Sequence, residues 1–255
     1  MNVKMTFLGT GTSQGVPIIG CDCKVCRSGD PRDSRLRSSA LFECGGRNIL
    51  IDAGTDFRTQ MLRAGVHHLD AILLTHNHKD HTGGLDDTRA LEYTDGWKAQ
   101  IYCEPKVLET LKVEYDYVFF DKKYPGAPAW DIHIIDENPF EVGGVRIIPI
   151  RGFHGKMPIL GFRIGDIAYL TDMSRIPESE MGKLRGLKHL TLNTVCYHPH
   201  YSHFCLEEAL GAARAIGAEN TWLTHLSHNF PPHAEFALEL PEGVRPAYDN
   251  LVIND

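Results

Sequence analysis

The feature that most constrains this chain is the run Asp70-Ala71-Ile72-Leu73-Leu74-Thr75-His76-Asn77-His78-Lys79-Asp80-His81, with Thr82-Gly83-Gly84-Leu85 behind it. Its first half is apolar and of strand length, and its second half spills four metal-competent side chains into a loop before a helix opens at about Asp80. In an extended segment His76 and His78 leave the backbone on the same side and can share one ion. Asp80 and His81 are adjacent, diverge, and suit a second. Two cations roughly 3.5 to 4 Å apart can clamp the attacking and leaving oxygens of a hydrolysis. A solvated polar turn would account for two histidines, but not for three and an aspartate in six residues directly after an apolar strand.

Other expected strand ends repeat the theme. The words Leu74-Thr75-His76, Leu170-Thr171-Asp172 and Leu223-Thr224-His225 each deliver Leu-Thr and then a metal-competent side chain. Sites in α/β folds collect at the carboxyl ends of strands, so the three words point to one sheet edge. His154 sits alone in Gly152-Phe153-His154-Gly155, read as a loop after a strand over 145–150. Asp52, at the end of the second strand of a hairpin spanning 39–51, is positioned to accept a hydrogen bond from a ligand histidine. In Tyr197-His198-Pro199-His200-Tyr201-Ser202-His203, the histidines form a further ligand set, or one is a proton-transfer group and the others lie at the surface.

Upstream, a first strand over 3–8 ends at Gly9-Thr10-Gly11-Thr12-Ser13-Gln14-Gly15, a tight loop whose amides could hold an anion. Val16-Pro17 breaks the chain where a dinucleotide-binding helix would begin. Then Cys21-Asp22-Cys23-Lys24-Val25-Cys26 puts three thiols in six residues. A tetrahedral zinc site would take them with one ligand from afar; a redox pair of Cys23 and Cys26 is the alternative, less suited to flanks rich in turn residues. Arg32, Arg35 and Arg37 form a basic stretch that meets a substrate phosphate or is simply solvated.

The remaining pattern predicts helices over 55–64, 80–93, 105–111, 204–216 and 233–240, and strands over 100–103, 132–135, 167–170, 190–196, 221–223 and 251–253. The aromatics between 113 and 130 suit a lid or packing beneath a connector. The chain has 255 residues, and no flexible linker or solenoid repeat divides it, so 1–255 reads as one domain with a zinc-binding loop at about 20–28. The fractions of apolar and charged residues, 42% and 23%, are those of a soluble protein, and no apolar run or secretion signal indicates a membrane or export, which leads us to expect a cytoplasmic protein. A net charge of −7 disfavours a broad surface for long nucleic acid but not a small anion. Cys44, Cys103, Cys196 and Cys205 are scattered in apolar surroundings and read as core thiols.

With H-x-H-x-D-H after an apolar strand, a later lone histidine, a strand-end aspartate and a strand-end histidine, the whole chain resembles a metallo-β-lactamase superfamily hydrolase. That resemblance implies an α/β fold, a four-layer αβ/βα sandwich of two mixed sheets flanked by helices, with the metals at one edge. It implies a first ion on His76, His78 and His154, a second on Asp80, His81 and His225, and Asp172 bridging them, with manganese or zinc as the divalent pair. Water between the ions would be the nucleophile. Phe7-Leu8-Gly9-Thr10-Gly11 is similar to tRNase Z and its phosphodiesterase relatives. Cys21, Cys23 and Cys26 together with Thr224-His225-Leu226-Ser227-His228 are more sharply similar to the phosphodiesterase of the bacterial carbon-phosphorus lyase pathway, which implies one structural zinc on the three cysteines and His228. The same resemblance assigns catalysis to His203 and Asp80, with His200 the alternative to His203. The implied activity is hydrolysis of a small or cyclic phosphodiester. The alternatives are tRNase Z-like 3'-processing of RNA, thioester or lactam hydrolysis, and a catalytically silent metal-braced binding module. The expected partner is a small substrate, with no long nucleic acid and no membrane, and a homodimer is a candidate assembly.

Overall fold

The computed structural model describes residues 2–122 and 124–255, except the side chain of Asp95. In chain order its strands are β1 (Val3–Gly9), β2 (Ser39–Cys44), β3 (Arg47–Ile51), β4 (Ala71–Leu73), β5 (Ala99–Cys103), β6 (Trp130–Ile134), β7 (Phe140–Val142), β8 (Val145–His154), β9 (Met157–Ile164), β10 (Ile167–Leu170), β11 (His189–Asn193), β12 (Asn220–Thr224), β13 (Val244–Pro246) and β14 (Val252–Asn254). They form two mixed sheets, ordered β14-β1-β2-β3-β4-β5-β6 and β13-β12-β11-β10-β9-β8-β7. The helices are α1 (Phe57–Ala64), α2 (Lys79–Thr82), α3 (Arg89–Asp95), α4 (Pro105–Glu114), α5 (Leu206–Ile216) and α6 (His233–Glu239).

The four layers follow from strand alternation. In β3, Ile49 and Ile51 face the other sheet, where Phe162 and Tyr169 pack; Leu50, between them, faces the opposite core with Phe57 and Met61 of α1. Such strands are buried on both faces and read as unbroken apolar runs. On the far side Leu170, Leu192 and Leu223 pack against Ala209 and Ala213 of α5 and Phe236 of α6. Parallel pairing of β3 through β6 and of β10 through β13 sends several carboxyl ends toward one edge.

Several expectations are corrected. His154 is the last residue of β8, not a loop residue, and β9, a strand not expected from the sequence pattern, pairs back from it with His154 opposite Met157. Gly152, Pro158 and Gly161 disguise the hairpin as turns. The glycines are there for contact: a Cβ on Gly152 would meet Met173 Sδ at 2.4 Å, and one on Gly161 would meet Leu170 Cδ2 at the same distance. The helix expected over 80–93 is broken after one turn. A Cβ on Gly84 would lie 2.1 Å from the Gly54 carbonyl oxygen, and one on Gly54 would lie 1.9 Å from that of Asp80. The chain after β3 and the chain after β4 therefore touch backbone to backbone, tied by Ala53 N–H to His81 O and Gly84 N–H to Ala53 O.

The glycine loop is a suture: Gly11 donates to Leu36 O, Thr12 to Leu226 O and Gly15 to Thr12 O, and Val16 after it donates to Arg35 O. The arginines after it are structural too. Buried Arg35 donates to Thr10 Oγ1 and Ala247 O, Arg32 pairs with Asp30, and Arg37 pairs with Asp56. Between 113 and 130, Tyr115, Val118 and Trp130 join the core under α4, with Tyr115 donating to Thr82 O, whereas Phe120 and Tyr124 stay exposed. Among the described residues, no helix is long and apolar enough to cross a membrane.

Candidate metal centre

Three residues at strand ends turn the backbone into the left-handed region: Asp52 after β3 (φ 62°), Asp172 after β10 (φ 62°) and His225 after β12 (φ 56°). Asp and His tolerate this conformation better than most residues, yet it costs of order 1–3 kcal/mol and persists only where surroundings enforce it. Here all three strained residues meet. Asp80, His81, Asp172 and His225 present ligand atoms within 4.8 Å of one another, and so do His154, Asp172 and His203. The ring centroids of His76, His78 and His154 lie 4.7 to 5.5 Å apart, and His76 is 4.2 Å from His81. All seven residues anticipated for the ion pair thus lie in one cluster. Asp172 is its middle: Oδ1 is 3.2 Å from His203 Nε2 and 3.3 Å from His225 Nε2, while Oδ2 is 3.3 Å from His81 Nε2.

A layer of hydrogen bonds behind the cluster aims the rings. Asp52 accepts from Thr75 N–H at 2.9 Å, Thr75 Oγ1 at 2.8 Å and His81 Nδ1 at 2.6 Å. The Thr75 proton is spent on Asp52, so its oxygen accepts from His76 Nδ1 at 2.9 Å. One carboxylate therefore orients His81 directly and His76 through a hydroxyl, more than the single contact anticipated for Asp52. His154 donates from Nδ1 to the Asp172 carbonyl at 2.7 Å. Asn193 grips the next residue, accepting from Met173 N–H and donating to Met173 O. Thr75 and Asn193 were not foreseen; the repeated Leu-Thr word was a signal for the first, and nothing in the sequence marked the second.

The donors fit a pair of divalent ions. With each Nδ1 occupied, Nε2 of His76, His81 and His154 carries the lone pair and points inward. Nε2 of His76 and of His81 is buried without a hydrogen-bond partner, an arrangement that costs about 1–3 kcal/mol per group unless an unseen partner such as an ion takes it. Burial holds His76 well below its ordinary pKa and His225 down at about 4, the neutral form a metal needs. Burial opposes charge on His81 as well, yet the Asp172, Asp80 and Asp52 carboxylates around it push its pKa well above the ordinary value. That excess of negative charge calls for a cation.

A second cluster joins a distant cysteine loop to His228, three residues after His225. Cys21, Cys23 and Cys26 Sγ lie 3.2, 3.6 and 3.6 Å from His228 Nδ1. Bond lengths to zinc of about 2.3 Å for sulfur and 2.0–2.1 Å for nitrogen, at tetrahedral angles, imply about 3.6 Å between the two atoms. Backbone N–H groups of Cys26 and Ile18 point at Cys23 and Cys26 Sγ, each at 3.4 Å. The sulfur and nitrogen spacing therefore suits zinc. Ser202 Oγ and His200 Nδ1 lie 3.1 and 3.2 Å from His203 Nδ1; His200 itself is outside the cluster and exposed.

Residues 47–226 match the model of the beta-lactamase superfamily domain, and the chain belongs to that family, a hydrolase of the metallo-β-lactamase fold. Over its whole length it is similar to the crystal structure of a diphosphatase from the PhnP family, at 40% identity, with 100% of this chain and 98% of that one covered and a TM-score of 0.93. It is 41% identical over 254 residues to an octanoyltransferase of Porphyromonas gingivalis, covering 98% of this chain but 51% of that protein, so it spans about half of that relative. A ribonuclease Z of Methanopyrus kandleri is 25% identical, with 98% of this chain and 96% of that one covered. Human tRNase Z, short form, shares the fold at a TM-score of 0.70 and 20% identity, covering 99% of this chain and 98% of the other.

Proposed function

We propose that the protein is a metal-dependent phosphodiesterase acting on a small or cyclic phosphodiester, with an ion pair on His76, His78, His154, Asp80, His81, His225 and the shared Asp172, and a structural zinc on Cys21, Cys23, Cys26 and His228. The observation that carries this reading is the end-to-end likeness to a diphosphatase, whose name denotes cleavage of a P–O bond. Divalent ions at the cluster supply charge stabilisation for the phosphoryl oxygens and a nucleophilic water near neutral pH. The chain's own groups do the rest. His203, partly open to solvent with Nε2 toward Asp172, holds a proton at that atom and gives it to the departing alkoxide. Asp80, beside His81, Asp172 and His225 in the cluster, orients the attacking water. A net charge of −7 favours a compact substrate over long RNA.

A second reading rests on the name of the Porphyromonas relative: the octanoyl group suggests an acyl thioester as substrate. A panel on protein of measured metal content separates the two. We expect turnover of bis(p-nitrophenyl) phosphate, cyclic phosphodiesters and a diphosphate diester, and slow turnover of an octanoyl thioester and a β-lactam. Faster hydrolysis of the thioester than of every phosphate ester rejects the phosphodiesterase.

A further inference from the structure

Behind His225 lies a set of contacts that the hydrolytic scheme leaves unused. Ser38, buried just before β2, has its hydroxyl 3.0 Å from the Gly11 carbonyl oxygen and 3.1 Å from His225 Nδ1. A hydroxyl carries one proton and a carbonyl can only accept, so the proton goes to Gly11 and Ser38 accepts from His225 Nδ1–H. This settles the tautomer: Nε2 keeps the lone pair and faces Asp172. The peptide after the ring is held by the same loop, because Leu226 donates to Thr10 O at 2.9 Å and accepts from Thr12 N–H at 3.3 Å. With φ at +56°, the His225 backbone would not keep that aim unaided. His76 rests on a hydroxyl in the same way, Thr75 with its proton on Asp52, but His81 and His154 differ in one respect. His81 rests on a carboxylate and His154 on a carbonyl, groups that only accept, whereas a hydroxyl accepts reliably only while its own proton is engaged elsewhere.

We propose that Ser38 is a positioning residue for His225, locked as an acceptor by the Gly11 carbonyl, and that the ion on the Asp80, His81 and His225 side is retained through this hydroxyl. The inference rests on the assignment of His225 as a ligand. Its test is a zinc titration against a chromophoric chelator, on wild type, Ser38→Ala, Ser38→Thr, Ser39→Ala and His225→Ala. Ser38→Ala is expected to weaken one of the two histidine-cluster ions by about 10- to 100-fold and leave the other unchanged. Ser38→Thr, which restores a hydroxyl, should recover most of that loss. Ser39 is a fitting control because its hydroxyl bonds, among the described residues, to the carbonyls of Ile51 and Asp52; Ser39→Ala should lower the melting temperature without separating the two affinities. Ser38→Ala holding both ions as wild type does, while His225→Ala loses one, overturns the proposal and leaves the ligand assignment standing. His225→Ala holding both overturns the assignment and the proposal with it. Should Ser38→Ala not fold, Ser38→Cys, a weaker acceptor, takes its place: a partial loss of one ion supports the proposal, and wild-type affinity for both overturns it.

Discussion

The two ligand clusters are assembled in opposite ways. The cysteine cluster takes three of its four donors from six consecutive residues, in a loop outside helix and strand, and all four are only half-buried. The histidine-aspartate cluster takes its donors from the ends of strands in both sheets and from α2, and His76, His81, Asp172 and His225 are almost wholly buried. A local cluster asks little of the rest of the chain, and an ion there contributes directly to ordering its own loop. A distributed cluster is prearranged by the fold, so an ion there adds stability mainly by mass action. The lesson is that metal removal should unfold one region and merely empty the other.

Mutations can break or sharpen that contrast. The largest effect is expected for Asp172→Ala, which removes the group common to both halves of the distributed cluster: both ions should be absent by metal analysis and turnover should fall to background. Loss of a single ion would mean that Asp172 is not shared. His203→Ala should keep the metal count and lower kcat by about 10²- to 10⁴-fold, with His200→Ala within a few-fold of wild type; the reverse ranking in steady-state assays moves the proton-transfer role to His200. Asp52→Asn should weaken both ions, each by about 10- to 100-fold in competition titrations, because its carboxylate serves His81 and, through Thr75, His76. Cys23→Ser should cost about one equivalent of zinc and lower the thermal midpoint by about 5–10 °C, a loss of a few kcal/mol at this chain length, while leaving most of the activity. An unchanged zinc content would return the cysteines to redox chemistry. The smallest effect is expected for Arg27→Ala, which removes an exposed pair with Asp22 on the rim of the cysteine loop and should shift stability by no more than about 0.5 kcal/mol in chemical denaturation.

The sequence exposed the donors better than what holds them. His76, His78, Asp80 and His81 stand out because such side chains are seldom packed behind an apolar strand, and the repeated Leu-Thr words located Asp172 and His225 from pattern alone. The joining of His228 to the cysteines came from family resemblance; spacing by itself asked only for a distant fourth ligand. What stayed hidden is carried by ordinary residue types. Ser38, Thr75 and Asn193 act through pairs of hydrogen bonds, most of them to groups far away in sequence, and a serine before a strand looks like any other. The β8–β9 hairpin was obscured because glycines chosen for close approach to Met173 and Leu170 look the same in sequence as glycines chosen for turns. The glycine loop after β1 hid its role as a suture for a related reason: exposed amides and amides spent on Leu36 and Leu226 are written with the same letters.

The carboxylate of Asp52 has a reach that its place in the chain does not suggest. It steers a ring on each side of the proposed ion pair, His81 directly and His76 through Thr75, and a strained backbone, wedged by the contact of Gly54 with the Asp80 peptide, steers the carboxylate in turn. Evolution therefore has no simple route to a one-ion descendant that begins at this position, since any relaxation there loosens both seats together. Variants that specialise toward a single ion would have to arise on the outer rim, through His154 or His225, where each ring has supports of its own.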